Sequence, residues 1–322
     1  MGFEVFNRIV VVSGASQGLG RSLADKLHAR GANLVVLARS KDRLEQLAAQ
    51  HEQDKRHADQ FTLAYAVDLS DAGQVEQLRG FLRKEMIDPD VVFCCAGSSV
   101  PKLFGDLSLA ELDAGIDINY KTCLYLLHAL VPAMVLDADP RDAGTDREKH
   151  VVILSSSVAF YSFIGYSQYA PLKAALKALG DTLRHELKYH GIRVTTVFPG
   201  NFASEGYAEE NLTKPSITAD VEGSSKPISV DDCADIVLRQ LHAGTTYIHT
   251  DLIGWVLNCF SLGFGPRSWW PLQVLLALFG ALFARLIDLY HESLIAKWYA
   301  ARDAARGGST GPSGPGAARK LK

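Results

Sequence analysis

Tyr169-Ala-Pro-Leu-Lys173 sets a phenol and an ammonium four residues apart. On a helix, positions i and i+4 share a face, so Lys173 can hold its charge beside the Tyr169 phenol. A neighbouring positive charge favours the phenolate and lowers a pKa that is about 10 unperturbed, toward a range in which tyrosine exchanges a proton with a carbonyl or alcohol oxygen. The chemistry this suits is carbonyl/alcohol redox. The same spacing also occurs on ordinary solvated helix faces, so the other elements must carry the case: Ser156 thirteen residues upstream, Asn119 fifty upstream, and a glycine-rich turn at 13–20.

That turn reads Ser13-Gly14-Ala-Ser-Gln-Gly18-Leu-Gly20, between a strand-like run and a helix-like one. Glycines there permit a tight turn and close backbone approach, so the helix N-terminus can take a negative pyrophosphate. At the end of the next strand-like run, where a carboxylate would bind a ribose 2′-hydroxyl, stand Ala38 and Arg39, with Lys41 and Arg43 nearby. An arginine in that place suits the extra 2′-phosphate of NADP, and a solvated basic helix start is the plainer alternative. Asp68 is placed either to accept from an adenine amino group or to cap the next helix.

β-Branched runs alternate with amphipathic stretches. Strands are expected at 8–14, 33–39, 61–68, 90–97, 150–157, 192–200 and 245–250, and helices at 20–31, 71–85 and from Tyr169 to about His190. Ser108 with Glu111 forms a capping box ahead of Asn119, a long apolar-faced helix continues beyond Asn119, and Ser229 with Asp232 caps another. This alternation predicts an α/β fold, a Rossmann-like doubly wound parallel sheet of about seven strands with helices on both faces.

Taken in order, Gly14/Gly18/Gly20, Ala96-Gly97, Asn119, Ser156, Tyr169/Lys173 and Pro199-Gly200 resemble the short-chain dehydrogenase/reductase family over residues 7 to about 250. The resemblance implies hydride transfer from a nicotinamide to a carbonyl carbon while Tyr169 donates a proton to its oxygen. It implies that Lys173 lowers the Tyr169 pKa and bonds the nicotinamide ribose, that Ser156 polarises the carbonyl, and that Asn119 holds a water linking Lys173 to solvent. NADPH/NADP+ would be held by Gly14, Ser16, Gln17, Gly18, Leu19, Gly20, Arg39, Lys41, Arg43, Asp68, Leu69, Ala96, Gly97, Tyr169, Lys173, Pro199 and Gly200. Ser155, Ser156 and Ser157 are consecutive; side chains alternate along a strand, and Ser156 has the family's spacing to Tyr169. "CCAG" at 94–97 departs from the family's NNAG, and thiols cannot replace amide hydrogen bonds there.

Composition bounds the rest. The 322 residues are 48% hydrophobic with a net charge of -3, so no basic field suggests nucleic acid. Five cysteines without paired or ligand spacing read as reduced thiols with no metal site. No N-terminal signal segment stands out, Met1-Gly2 lacks the serine or threonine of a myristoylation signal at Phe6, and Asn211-Leu-Thr213 is a formal glycosylation sequon only.

The expected organisation is a Rossmann domain over 1–250 with 204–228 as a substrate flap, membrane-associating or oligomerising helices over 251–300, and a disordered tail over 307–322. All four tryptophans (Trp255, Trp269, Trp270, Trp298) lie in the last quarter, and no charge occurs from Ser268 to Ala284. That run of 17 falls short of the ~20 residues of a spanning helix, and beyond Arg285 the pattern turns amphipathic, with Leu286, Leu289, Tyr290 and Leu294 on one side. With "ISVDDCADIVLRQLHAG" and "FIGYSQYAPLK", this segment resembles a branch of the family that reduces a long-chain lipid ketone at the cytosolic face of the endoplasmic reticulum membrane. A membrane surface and a homo-oligomer, dimer or tetramer, are the expected partners. The competing readings are a reductase of another lipid carbonyl (sterol, retinoid or fatty acyl) and a non-catalytic NADPH-binding scaffold.

Overall fold

A computed structural model describes residues 3–138, 147–223, 226–261, 265–266 and 269–307, the side chains to 305. Seven strands form one parallel sheet: β1 (Ile9–Ser13), β2 (Asn33–Ala38), β3 (Thr62–Ala66), β4 (Val91–Cys94), β5 (Lys149–Leu154), β6 (Ile192–Phe198) and β9 (Tyr247–His249). Their order is β3-β2-β1-β4-β5-β6-β9, so the direction of winding reverses between β1 and β4. In such sheets the crevice outside the strand carboxyl ends at the reversal is where a ligand is held.

The sheet is covered on both faces because its strands are apolar throughout rather than alternating. Val10, Val12, Leu34, Val36 and Phe93 face one core, with α1 (Gly18–His28), α2 (Lys41–Gln53) and α9 (Val230–His242) over it. Val11, Val35, Leu37, Val92 and Ile153 face the other, under α3 (Ala72–Lys84), α5 (Thr122–Leu136) and α6 (Ala170–Lys188). Neighbouring residues of one strand thus enter opposite cores, the period of two at work.

The capping signals hold. Ser108 and Glu111 form the reciprocal box at α4 (Leu109–Ile116), and the Ser229 hydroxyl accepts from the Asp232 amide at α9. The helix expected to continue beyond Asn119 is present, helical without a break from 109 to 136, with one local irregularity. Residues Asp117–Lys121 form a wide π turn between α4 and α5. Such a bulge leaves the regular ladder and re-aims a side chain, here Asn119.

Residues 202–229 carry two short paired strands, β7 (Phe202–Ala203) and β8 (Ile228–Ser229), around α7 (Glu205–Thr213) and α8 (Ser216–Glu222). The C-terminal part contains α10 (Leu252–Phe260) and one 38-residue helix, α11 (Trp270–Gly307). The expected change from a spanning to an interfacial helix at Arg285 does not break it. Nearly all of the tail predicted over 307–322 lies outside the described residues.

Candidate active site

The site is built where β5 ends. Ser155 and Ser156 point to opposite sides, as alternation requires. The buried Ser155 hydroxyl donates to the Lys173 carbonyl at 2.7 Å, fastening α6 to the sheet. Ser156, in extended backbone, caps a 3-10 turn at 157–159 and is hydrogen-bonded to the Tyr169 side chain. Tyr169 is the N-cap of α6, with Pro171 in the first turn where a missing amide hydrogen costs nothing. Lys173, one turn on, lies with Nζ 5.3 Å from the Tyr169 ring centroid and donates to the Leu154 carbonyl at 3.0 Å.

Burial lowers the Lys173 pKa to about 8. For Tyr169 the balance differs from the one its spacing implied. Burial raises its pKa most, the Glu210 charge raises it further, and the Ser156 hydrogen bond works the other way. The phenol is therefore a held proton in the chain alone.

Asn119 is fully buried in the wide turn. Its Nδ2 donates to Ser98 O at 2.7 Å and Gly115 O at 3.2 Å, and its Oδ1 accepts from Ser98 N at 3.1 Å. Both amide atoms hold the loop after β4, so the side chain fixes backbone beside Lys173. A Cβ on Gly97 would come 3.0 Å from Asn119 Oδ1 and 3.1 Å from Lys173 Nζ. Asn119, Lys173, Tyr169 and Ser156 thus surround one end of the crevice.

The missing asparagines of "CCAG" are answered from β1. Ser13 Oγ accepts from the Cys95 amide at 3.0 Å, tying the end of β4 to β1. Cys94 is buried, and burial drives the Cys95 thiol up out of any reactive range.

The turn at 13–20 fits a diphosphate. Gly14 and Gly18 have φ of 66° and 55°, the left-handed region that favours glycine, and a Cβ on Gly14 would come 2.9 Å from Ala96 N. A Cβ on Gly20 would strike the Gly14 carbonyl. The backbone thereby stays open above the N-terminus of α1. Ser16 and Gln17 lie on the rim. Leu19 and Leu69, by contrast, send their side chains into the two cores, leaving only their backbone for a ligand. Arg39 is exposed at the end of β2. Lys41 pairs with Glu45 at 3.6 Å; Arg43 donates to Gln17 Oε1 at 2.7 Å and pairs with Glu205 on α7 at 2.9 Å. The Asp68 carboxylate accepts from the Ser70 amide and hydroxyl, bonds that hold its pKa down, while Asp71 caps α3. Pro199 O accepts from the Ser157 amide, and the Gly200 amide donates to Thr250 Oγ1 at 2.9 Å. A side chain at Gly200 would collide with Asp251, the N-cap of α10.

Sequence reasoning missed a second group around Tyr169. Tyr166, almost fully buried, donates to Glu210 on α7 at 2.6 Å. Lys214 pairs with Glu210 at 3.0 Å and with Glu222 at 2.7 Å, and Asn201 Nδ2 donates to Glu222 Oε1 at 2.8 Å. The i,i+4 spacing of Glu210 and Lys214 was visible, but such pairs are common on solvated helices and worth little there. Here Lys214 is almost wholly enclosed.

The second half of α11 crosses these elements. His291 Nδ1 lies 2.6 Å from the Tyr161 hydroxyl, Trp298 Nε1 donates to Ser216 of α8 at 2.8 Å, and Arg302 stands 3.9 Å from Asp106. The first half packs Ala277 inward, and a Cβ on Gly280 would strike the Phe260 ring of α10 at 2.6 Å. Leu275, Leu278, Leu282, Leu286 and Tyr290 are more than half exposed. The apolar set predicted beyond Arg285 divides: Leu286, Leu289 and Tyr290 face out, whereas Leu294 is half-buried on the His291/Trp298 side. By length and composition α11 suffices to cross a membrane, with only 17% of its most apolar window buried.

The family model for the short chain dehydrogenase matches residues 8–215. A 3-ketodihydrosphingosine reductase of Debaryomyces hansenii is 40% identical over 299 residues, 92% of this chain and 90% of that protein. A protein of the same name from Saccharomyces cerevisiae is 36% identical, covering 94% of this chain and 98% of its own length. Among solved structures, a short-chain dehydrogenase from Sphingobium yanoikuyae in complex with NADPH superposes with a TM-score of 0.64 at 24% identity, covering 76% of this chain and 88% of that one. An alcohol dehydrogenase from Thermococcus sibiricus complexed with 5-hydroxy-NADP gives 0.61 at 24% identity, covering 75% of this chain and 94% of that one. At that identity the likeness is one of fold.

Proposed function

The chain belongs to the short-chain dehydrogenase family, and from that premise we propose that it reduces the keto group of 3-ketodihydrosphingosine to the alcohol with NADPH. The observation that carries this reading is the reach of the likeness. The family model stops at residue 215, whereas the 40% identical reductase matches 92% of the chain, which takes the similarity into α10 and α11. Those helices are where a lipid substrate would demand something beyond the common fold.

NADPH, when bound, supplies the hydride that adds to the carbonyl carbon. The glycine turn at 14–20 would take its diphosphate and Arg39 its 2′-phosphate, with Ala96-Gly97 and Pro199-Gly200 forming the remaining backbone wall. Tyr169 gives its proton to the carbonyl oxygen as the carbon–oxygen π bond breaks, and Ser156 donates a hydrogen bond to the same oxygen. The resulting phenolate is stabilised by Lys173, whose ammonium passes a proton to it and is recharged from solvent. A pKa of about 8 leaves that ammonium protonated at neutral pH yet able to release. Asn119 positions the loop against which Lys173 rests.

Residues 204–228 serve as the substrate flap, and the segment 251–300 brings the enzyme to a membrane, which for this reaction we place at the cytosolic face of the endoplasmic reticulum. The outward leucines of α11 support either a bilayer or a second copy of the chain as their cover, so a homo-oligomer belongs to the same reading. Incubating the purified protein with NADPH and 3-ketodihydrosphingosine, and separating products by mass, tests the proposal. Dihydrosphingosine is the expected product; its absence, alongside turnover of a sterol, retinal or fatty aldehyde, would move the protein to another lipid carbonyl.

A further inference from the structure

A cavity of about 490 Å³ lies beside Tyr169, within the range of roughly 300–1,000 Å³ typical of small-ligand sites. Its walls are Leu103 and Phe104 on one side, Phe163, Ile164 and Tyr166 on the other, and Tyr299 of α11 above. The two sides are pinned together, since the Lys102 amide donates to the Gly165 carbonyl at 3.0 Å. Tyr166 is a shared wall: its ring centroid is 6.1 Å from that of Tyr169.

We propose that this cavity holds the alkyl chain of the ketone substrate and that α11 is its roof, an assignment that rests on the lipid-ketone reading above. Three observations commit it to that occupant. Apart from Ser162 and Ser167 the lining side chains are apolar and none is charged, so what enters gains by leaving water rather than by ion pairing. Tyr166, which lines the cavity, packs against Tyr169, and Ala170 next in the chain also borders it, so the cavity adjoins the residue that meets the carbonyl. Its roof comes from a helix beyond the family module, and the upstream length of that helix is an exposed apolar surface.

The roof helix is fastened at three points, two of them on the segments that border the cavity and one on α8. Tyr161 meets His291, Ser216 on α8 accepts from Trp298, and Asp106 faces Arg302, whose guanidinium also lies 5.3 Å over the Trp298 ring. Only the polar rim is tied. The apolar interior is left for the ligand.

Gly105 offers a direct test. It borders the cavity, and a Cβ there meets no atom within 4 Å. Gly105→Phe therefore adds volume without an immediate clash, and Tyr299→Ala removes the roof at a residue that is 40% exposed. The full-length protein, bound to NADPH, is assayed with 3-ketodihydrosphingosine homologues of increasing chain length. In parallel, dihydrosphingosine homologues are titrated against the NADP+ complex, read by tryptophan fluorescence and by displacement of a bound fluorescent lipid. In the wild type kcat/KM rises about fourfold per methylene until the cavity is full. Gly105→Phe ends that rise several carbons earlier and lowers long-chain kcat/KM tenfold or more, leaving short homologues unchanged. Tyr299→Ala flattens it.

Turnover whose chain-length profile is the same in wild type and both variants, with NADPH binding intact, overturns the assignment. Absence of turnover in the wild type, with chain-length-dependent binding that both variants weaken, refutes the proposed reaction and leaves the cavity assignment standing. A Gly105→Phe protein that fails to bind NADPH shifts the decision to Tyr299→Ala.

Discussion

Tyr166 and Glu210 are joined by a hydrogen bond of 2.6 Å, so the residue three places before Tyr169 is held by α7. The same carboxylate raises the Tyr169 pKa. Glu210→Gln keeps an acceptor for Tyr166 and removes the charge. A phenol raised by a neighbouring anion loses its proton at lower pH once that anion is gone, so the Tyr169 pKa falls. The alkaline limb of the reductive kcat/KM profile should move to lower pH by about half a unit to one unit, the size of one partly screened charge. A profile unchanged in position but lowered in height would mean that Glu210 only shapes the flap.

Lys173 carries the opposite balance, because burial takes its pKa from 10.5 to about 8. A group whose folded pKa lies below its unfolded value binds fewer protons when folded, so stability falls as pH drops from above 10.5 toward 8 and stays reduced below that. Lys173→Met removes this penalty, of roughly 1–3 kcal/mol after the lost bond to the Leu154 carbonyl is counted. The cofactor-free variant should resist urea at least as well as the wild type at pH 7, the difference vanishing near pH 11. Turnover should drop by 10²-fold or more. A less stable variant at pH 7 would show that the ammonium is better solvated than its burial implies.

Much of this arrangement was legible in the chain. The strands announced themselves through β-branched runs, and the seven found lie within a few residues of those expected. Ser108–Glu111 and Ser229 were legible because a cap is a local contact, set by residues three apart. What sequence reasoning missed is long-range or depends on burial. Ser13 supports Cys95 across 82 residues, and Trp298 meets Ser216 across the same distance, neither with any local signature. The π turn at Asn119 inserts one residue into an otherwise ordinary helical pattern, which periodicity cannot register. The Glu210–Lys214 pair was visible as a spacing, but its enclosure, with Lys214 also bound to Glu222, was not.

In the proposed reading Arg39 selects NADPH over NADH. It stands exposed at the end of β2, and Arg43, the other arginine at hand, is already engaged by Gln17 and Glu205. Arg39→Asp places a carboxylate where a 2′-phosphate would sit and offers an acceptor to a free 2′-hydroxyl. The ratio of kcat/KM for NADPH over NADH should fall at least 10²-fold, with most of the change in KM. Arg43→Ala should shift the same ratio far less. Equal effects from the two would place the phosphate between them.

Leu278 and Leu282 lie on the outward side of α11, 56% and 77% exposed, and both precede the residues that fasten the helix, His291, Trp298 and Arg302. If a bilayer covers them, replacing both by Asp costs about 2.5–3.5 kcal/mol each near the centre of the apolar layer. Leu278→Asp/Leu282→Asp should therefore leave phosphatidylcholine vesicles in a flotation assay, with at least a hundredfold loss of partitioning. Turnover of a short-chain ketone in solution should persist, because the anchors at His291, Trp298 and Arg302 lie beyond the altered turns. The alternative cover, a second copy of the chain, gives a different result: the variant would fall from oligomer to monomer in light scattering while vesicle binding stayed as in the wild type. The helix is about 57 Å long at 1.5 Å per residue, against a hydrocarbon layer of about 30 Å, so it has length enough to enter a membrane with its first half and stay fastened to Tyr161, Ser216 and Asp106 with its second.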